Sequence, residues 1–384
     1  MDFRLNLEQE MLRDSARRYV SIEQSFERRR TRTRGSAHDG WSKFAEMGWL
    51  SLAVPEEAEG LGGGMDDLAI LAEELGRGLT LEPFIGGAIL PTRILDRSDK
   101  TEARYAALLA LAGSELRVAV GLYESGHRYD VSAPDTRATR MPDGSYRLTG
   151  HKIVVQGGAA ADRLLVSAQI DGGTQTGRGL AVFMVDAKSP GIGCRVYETI
   201  DEAELSDFTF DQVTIPATSL IAGPESALAI IEDSIDDAIV CLCAEALGCM
   251  DKAIELTAEF LKVRTQFGQP LAEFQVLQHA VAEMFIEVTN ARSILYRAIA
   301  GLASSPMERR KSVSGCKIKI MEAAKLVTGN AIHLHGGIGM TCEYPVGHYL
   351  RRILVSERVY GDNEYHIERY ISASAAESVG KERQ

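Results

Sequence analysis

The chain has 384 residues, which suggests two or three domains, and its 45% hydrophobic and 25% charged residues are typical of a globular protein. Its formal net charge of −12 argues against general binding to nucleic acid or to anionic membranes. The N-terminal sequence MDFRLNLEQE carries charges where a signal peptide has an apolar core, and no apolar run reaches transmembrane length. We therefore expect a cytoplasmic protein that neither inserts into membranes nor binds nucleic acid.

Residues 1 to about 113 are predicted to form an N-terminal α-helical domain. In DDLAILAEELGRGL, the residues Leu68, Leu71, Leu75 and Leu79 recur at spacings of three and four, which builds one apolar stripe on a helix. The four glycines of EGLGGG, just before this stretch, predict a loop.

Residues 114–222 are predicted to form a middle domain, a small antiparallel β-barrel. Glycine becomes more frequent here, and β-branched runs such as YRLTGHKIVVQ, RLLVSAQI and LAVFMVDA alternate with turn residues. In SDFTFDQVTIP, Phe208 and Phe210 alternate with polar residues, so one face of that strand should be buried and the other exposed to solvent.

Residues 223–384 are predicted to form a C-terminal bundle of four or more helices. Few prolines interrupt this zone, and Leu242, Ala246, Met250, Ile254 and Leu261 share one side of a long helix. Six cysteines are scattered over the chain without CxxC spacing, and four of them fall in predicted helices, so we predict buried, reduced thiols and no metal site.

A series of phrases in this order resembles the acyl-CoA dehydrogenase family along essentially the whole chain. They are VPEEAEGLGGG with LAEELGR, YESGHRYD, GHKIVVQGGAAAD, TFDQVTIP, VRTQFGQPLAEFQVLQ and HLHGGIGMTCEYPVGHYLRR. The phrases YGDNEYHIER and CAEALG are most similar to the subgroup named for the small subunit of pimeloyl-CoA dehydrogenase. The resemblance implies an FAD enzyme that acts on an acyl-CoA, works as an oligomer and passes electrons to an electron-transferring flavoprotein.

Two phrases of the C-terminal zone are expected to hold the adenine and pyrophosphate of FAD, mainly for a neighbouring subunit. A forked arginine suits phosphate oxygens, and bare glycine backbone lets a phosphate approach closely. By resemblance these roles fall to residues of RTQFG and HGGIG and to two neighbours, namely Arg264, Phe267, Gln275, His333, Gly336 and Gly337. His333 stands where the family usually has Gln.

The flavin-ring side departs further from the family pattern. Tyr123 and Tyr129 replace a Thr and a Ser of one motif, and Val154 and Gln156 replace the Trp and Thr of another. A tyrosine hydroxyl and a glutamine amide can still hydrogen-bond a flavin, so Tyr123, Tyr129 and Gln156 are candidate cofactor contacts. Simple packing within the β domain is the alternative reading.

The catalytic base of the family is a carboxylate that removes the α-proton of the thioester. In many members it is a Glu in the loop that here reads RVYGDNEYHIER; one alignment of this loop gives Tyr360, another Gly361, and a third Asp362. Other members supply Glu from the long bundle helix, where this chain has Ala238 with Asp237 beside it and Glu245 two turns further on. We rank Asp362 first, no base in this chain second, and Asp237 or Glu245 third.

The resulting prediction is FAD-dependent α,β-dehydrogenation of an acyl-CoA by a homo-oligomer or by one subunit of a heteromeric pair. Two alternatives remain open at this point. The chain could be a non-catalytic subunit that completes the FAD site of a partner, or a flavin oxidase resembling nitroalkane oxidase, whose base is an Asp.

Overall fold

The structure is a computed structural model that describes residues 4–31, 40–170 and 179–381. Within these residues the chain forms twelve α-helices: α1 Leu7–Glu23, α2 Phe26–Thr31, α3 Trp41–Glu46, α4 Trp49–Leu52, α5 Met65–Arg77, α6 Leu90–Arg97, α7 Glu102–Ala112, α8 Ala227–Val263, α9 Gln275–Gly301, α10 Pro306–His335, α11 Val346–Arg358 and α12 Asn363–Lys381. The same residues form ten β-strands: β1 Val118–Gly121, β2 Arg137–Arg140, β3 Tyr146–Gln156, β4 Arg163–Ile170, β5 Leu180–Asp186, β6 Ile192–Glu198, β7 Glu204–Ile215, β8 Leu220–Ala222, β9 Thr265–Gln266 and β10 Gln269–Pro270. The predicted order of helical, β and helical segments is confirmed.

The chain divides into two compact units. The helical unit comprises Met1–Arg32, Met65–Thr80 and Ile239–Gln384, and the sheet unit comprises Thr33–Gly64 and Leu81–Ala238. The division falls inside α8. The three domain boundaries predicted from the sequence stay a prediction.

The sheet unit is built around one eight-stranded sheet, in which seven strands follow the order β6-β7-β3-β2-β4-β5-β8 and the eighth, β1, pairs with β4. Its buried face includes Leu148, Val166, Phe183, Phe208 and Phe210, so the predicted alternation in β7 is confirmed. The sequence did not predict the short or exposed strands β2, β6 and β8.

The pairing is mixed rather than wholly antiparallel. β1 pairs in parallel with the start of β4, and β2 pairs in parallel with its end. The two short strands therefore lie one after the other along the same side of β4, and residues 122–136 leave the sheet between them. This excursion, rather than a hairpin, is the reason for the parallel pairs.

The helical unit is a bundle in which α10 packs against α9, α11 and α12, while α1 packs against α5. α10 starts where Pro306 follows the N-cap Ser305, and it runs to the glycines at its C-terminal end. The predicted stripe on α8 is largely confirmed, because Leu242, Ala246, Met250 and Leu261 are buried. No helix in the described part of the chain is both long enough and apolar enough to cross a membrane.

Two glycines let α5 and α8 touch backbone to backbone within the helical unit. A Cβ atom on Gly248 would lie 1.8 Å from the carbonyl oxygen of Glu73, and one on Gly76 would lie 2.1 Å from that of Glu245. Backbone atoms in two packed helices cannot shift as a flexible side chain can, so this crossing requires glycine on both sides.

We expect Gly248→Ala to lower the free energy of unfolding by about 1–3 kcal/mol, because the added methyl group must push the two helices apart. The control is Gly329→Ala in α10, where a Cβ atom meets nothing within 4 Å. This change should raise the stability by roughly 0.5–1 kcal/mol through its helix propensity. Chemical denaturation of both variants measures the difference, and equal stability of Gly248→Ala and the unaltered protein would contradict the crossing.

Candidate active site

A short hairpin directly after α8 presents an aromatic ring to solvent. β9 and β10 are its arms, and its turn residues Phe267 and Gly268 have φ values of 52° and 83°, both in the left-handed region that a type I′ turn uses. The Phe267 side chain is 92% exposed, and its ring meets that of Phe274 edge to face at 6.2 Å. Arg264, which precedes β9, is exposed as well. An aromatic ring held this far from the core is available to cover a flat ligand.

α10 ends in a glycine turn with open backbone. Gly336 has a φ of 63° and donates its N–H to the carbonyl oxygen of His333. A Cβ atom on Gly336 or on Gly337 would meet nothing within 4 Å. This exposed backbone forms a cradle that the oxygens of a phosphate could approach.

Aromatic stacking joins the ends of α8 and α10. Phe260, near the end of α8, stacks on the imidazole of His335 with ring centroids 4.5 Å apart, and Tyr344 meets the same imidazole at 4.9 Å. Burial lowers the pKa of His335, which keeps this ring neutral. The hairpin and the glycine turn are thereby brought to one end of the helical unit.

α9 and α10 pack side by side, and only residues 302–305 connect them, so the two helices run antiparallel. The start of α9 therefore lies beside the end of α10. Six of the predicted cofactor residues therefore share one end of the helical unit and are all exposed: Arg264, Phe267, Gln275, His333, Gly336 and Gly337. Together they offer a guanidinium, a ring and bare backbone, which suits a phosphate-bearing ligand with a flat ring system.

The excursion of residues 122–136 in the sheet unit brings the other two predicted tyrosines together. The rings of Tyr123 and Tyr129 meet edge to face at 6.2 Å, and both side chains are half-buried. This contact places the two tyrosines side by side within the excursion.

A buried ion pair lies where this excursion leaves and rejoins the sheet. The carboxylate of Glu124 accepts from the Lys152 ammonium at 2.6 Å and from the hydroxyl group of Thr136 at 2.6 Å. Burial lowers the pKa of Lys152 to about 8, while the charge and hydrogen bonds of this network hold the pKa of Glu124 below its usual value although burial opposes them. Ligand atoms of Glu124, His127 and Asp135 lie within 4.8 Å of one another, but Lys152 already neutralises Glu124, and we assign no metal.

Val154, at the position where the family usually has Trp, lies on a bulge with unusual backbone geometry. Its φ is 58°, which a β-branched residue rarely adopts, and its side chain is exposed. The carboxylate of Asp207 holds the bulge, since it accepts from the Val154 N–H at 3.1 Å and from the hydroxyl group of Tyr197 at 3.0 Å. Backbone strain of this kind is typical of functional sites.

Gln156 is placed against a π-helical turn rather than towards open space. A Cβ atom on Gly86, within Ile85–Ile89, would lie 2.2 Å from the Gln156 amide oxygen. This contact corresponds to the packing alternative that the sequence left open, so a flavin contact of Gln156 stays a prediction.

Asp362 caps the last helix. Its Oδ1 atom accepts from the backbone N–H of Tyr365 at 3.0 Å, and its Oδ2 atom lies 3.6 Å from the Arg358 guanidinium. The residue is 7% exposed. Tyr360, which one alignment placed at the base position, is buried, and burial raises its phenol pKa, so it cannot serve as an ionised base near neutral pH.

The loop that carries Tyr360 and Asp362 is fixed by His366 from its C-terminal side. The imidazole Nε2 atom donates to the carbonyl oxygen of Tyr360 at 3.1 Å, and Nδ1 accepts from the hydroxyl group of Ser314 at 3.3 Å. Only glycine fits at position 361, because a Cβ atom on Gly361 would lie 2.6 Å from this Nε2 atom. Burial, together with the charges of nearby cations, lowers the pKa of His366 to about 3.

Lys317 on α10 holds the same loop from its N-terminal side. Its ammonium group donates to the carbonyl oxygens of Ser356 at 2.5 Å and Val359 at 3.0 Å, where α11 ends. Burial lowers the pKa of Lys317 to about 8.

The two alternative carboxylates have different surroundings. Asp237, in the sheet unit, is buried and forms ion pairs with Arg97 at 2.8 Å and Arg93 at 3.3 Å, which is the geometry of a structural acid. Glu245, in the helical unit, is half-buried and lies 3.7 Å from the Arg352 guanidinium.

Sequence reasoning missed four residues that position this chemistry: Lys152, Asp207, Lys317 and His366. The available signal was a charged residue inside an apolar stretch, as in HKIVV or CKIKIMEAA. Because most lysines on a helix are solvated, this signal alone could not separate Lys317 from its exposed neighbour Lys319.

Three family models match the chain in order along most of its length. They are the N-terminal domain of acyl-CoA dehydrogenase over residues 6–91, the middle domain over residues 119–213 and the C-terminal domain over residues 228–374. The chain therefore belongs to the acyl-CoA dehydrogenase family. It is an oxidoreductase that uses FAD and acts on an acyl-CoA, and the open glycine backbone and exposed Phe267 fit the phosphates and ring system of that cofactor.

Individual relatives agree with this assignment. The chain is 28% identical over 375 residues to acryloyl-CoA reductase (NADH) of Anaerotignum propionicum, covering 95% of this chain and 94% of the relative. It is 29% identical to the steroid ACAD Tcur3481-Tcur3483, with a TM-score of 0.85 over 97% of this chain and 99% of that one. Butyryl-CoA dehydrogenase from Megasphaera elsdenii shares the fold with a TM-score of 0.89 at 24% identity, over 98% of this chain and 100% of that one.

The buried His366 predicts a specific loss of stability in acid. The unfolded chain protonates this residue near pH 6.5 and the folded protein only near pH 3, so the unfolded state binds more protons between these values. Stability should therefore fall as the pH falls through this window, by up to about 1.4 kcal/mol per pH unit from this one group.

His366→Gln keeps a donor for the Tyr360 carbonyl but cannot titrate, so its unfolding free energy should depend less steeply on pH between pH 6 and pH 4. Urea denaturation at several pH values compares the two proteins. Parallel curves would show that His366 is not buried as a neutral group.

Proposed function

We propose that this chain removes the α-proton of an acyl-CoA with Asp362 and works in an oligomer whose subunits share each FAD. The observation that carries the proposal is the exposed end of the helical unit. Among the described residues, nothing covers Phe267 or the Gly336–Gly337 backbone, so this cofactor surface needs another subunit to complete it.

The exposed surface of α9 supports an oligomer. Val276, Phe285 and Ile286 on this helix are large apolar side chains that are more than half exposed. Exposed apolar groups on one helix next to a cofactor surface are typical of a protein–protein interface.

The partner could be a second copy or a homologous chain. The name of the steroid ACAD relative, Tcur3481-Tcur3483, joins two designations, and the substitutions at Tyr123, Tyr129, Val154 and Gln156 favour a division of labour between two chains. An electron-transferring flavoprotein is the proposed electron acceptor, on the family resemblance alone. The oxidase and the non-catalytic alternatives are not favoured, because the relatives carry the names of enzymes that act on CoA thioesters.

FAD, when bound, supplies the acceptor for the hydride from the β-carbon. The chain's own part is to orient the thioester and to take the α-proton onto a carboxylate. Asp362 suits this task because it is nearly buried and its Oδ1 atom is anchored by the Tyr365 N–H. Its Oδ2 atom, which would receive the proton, has a guanidinium 3.6 Å away, but that of Arg358 is 69% exposed and therefore largely screened by solvent. Glu245 is the alternative within the helical unit, whereas Asp237 is already engaged in ion pairs with two arginines of the sheet unit.

Asp362→Asn distinguishes the role of Asp362 as a catalytic base from its role as a helix cap. Asn caps a helix about as well as Asp, so the variant should fold and retain FAD. Its flavin should be reduced by acyl-CoA roughly 10²–10⁴-fold more slowly, because the amide cannot accept the proton. Anaerobic stopped-flow absorbance measures this rate.

Two further variants complete the test. Asp362→Ala should be equally slow and also less stable by about 1 kcal/mol, because it loses the cap as well. Glu245→Gln should keep most of the rate. If Asp362→Asn is reduced as fast as the unaltered protein, Asp362 is only a cap and the assignment fails.

A further inference from the structure

Backbone carbonyl groups at the end of α11 and in the loop that follows it accept hydrogen bonds from side chains of α10 and α12. Three of these, those of Ser356, Val359 and Tyr360, accept hydrogen bonds from Lys317 or His366. A helix C-terminus leaves its last carbonyl groups without intrahelical partners, so donors placed here determine the path of the chain beyond the helix.

Lys317 is an unusual donor for this purpose because it is a cation only 1% exposed. Removing an ammonium group from water is costly, and an apolar side chain of the same length would pack in the bundle without that cost. The carbonyl oxygens at the negative end of α11 offset part of the penalty. The contribution of the Lys317 ammonium group is therefore to the groups that it contacts, which lie at the end of α11 and at the start of the loop.

Ser314 and Lys317 lie three residues apart on α10, so they occupy one face of this helix. Lys317 contacts the loop directly, and Ser314 contacts it through His366. Together they impose the backbone of the loop, in which Tyr360 and Gly361 have φ values of 59° and 118°. Non-glycine residues rarely adopt the first of these conformations without support.

We propose that Lys317 and His366 are positioning residues, which hold the Val359–Gly361 backbone so that Asp362 stands at the reacting carbon. This inference rests on the proposed role of Asp362 as the base. A displacement of about 1 Å in a reacting group can reduce a rate by roughly 10²-fold, so the anchor matters although it touches no substrate.

Lys317→Met tests the anchor, because Met nearly matches the length of the side chain but has no donor. The control is Lys319→Met on the same helix, where the lysine is 62% exposed and paired with Glu322. Two measurements on the FAD-loaded protein are compared: amide hydrogen exchange in residues 356–366, and the rate of flavin reduction at saturating acyl-CoA alongside the Kd of the acyl-CoA.

For Lys317→Met we expect exchange in this segment to become at least roughly tenfold faster, since its backbone loses two bonds to α10. The reduction rate should fall by about 10–100-fold while the Kd changes little, because the base is displaced and the substrate contacts are not. Lys319→Met should match the unaltered protein in all three quantities.

Unchanged exchange in Lys317→Met would overturn the anchor, whatever the identity of the base. Faster exchange with an unchanged reduction rate would show an anchor that does not serve catalysis. Ser314→Ala, which removes only the hydroxyl group on His366, should show the same changes to a smaller extent and decides the matter if Lys317→Met does not fold. Failure of Asp362 as the base is detected separately by its Asn variant.

Discussion

The helical unit depends on how the backbone groups at the helix ends find hydrogen-bond partners. The α-helix satisfies its own N–H and C=O groups except in its first and last turns, and these ends must find other partners. In the helical unit, three helix ends meet this requirement in three different ways. α11 is closed by the ammonium group of Lys317, α12 is capped by the carboxylate of Asp362, and α10 ends in glycines that stay open.

As a result, one region of the helical unit has its backbone held by hydrogen bonds, and another region leaves its backbone exposed. The loop between α11 and α12 is bonded on both sides, which gives a carboxylate a defined place. The opposite situation holds at Gly336 and Gly337, where open backbone lies at the same end of the helical unit as the exposed Phe267. We propose that a cofactor and another subunit complete this end. The sheet unit repeats the contrast, since the buried Glu124–Lys152 pair fixes the excursion while Val154 is held exposed on a strained bulge.

Much of the architecture could be predicted from the sequence because periodicity reports burial directly. The stripes on α5 and α8 and the alternation in β7 follow from one buried face each. The parallel pairs of β1 and β2 could not be predicted, because they arise from an excursion whose ends meet only in three dimensions. The sequence carries a signal for the role of Asp362 as a cap, since an Asp directly before a helix is a common start signal, but it does not show which atoms the carboxylate contacts. The burial of Lys317 could not be predicted, because the same apolar stretch also contains the exposed Lys319.

If this chain holds FAD and supplies its own base, a visible spectrum of the chain purified alone shows both properties directly. The spectrum is recorded without oxygen before and after addition of a series of acyl-CoAs. We predict a yellow protein in which at least one acyl-CoA bleaches the flavin. A chain that stays colourless after incubation with FAD would contradict a cofactor site formed by copies of this chain alone, and a yellow chain that no acyl-CoA bleaches would contradict a base within it.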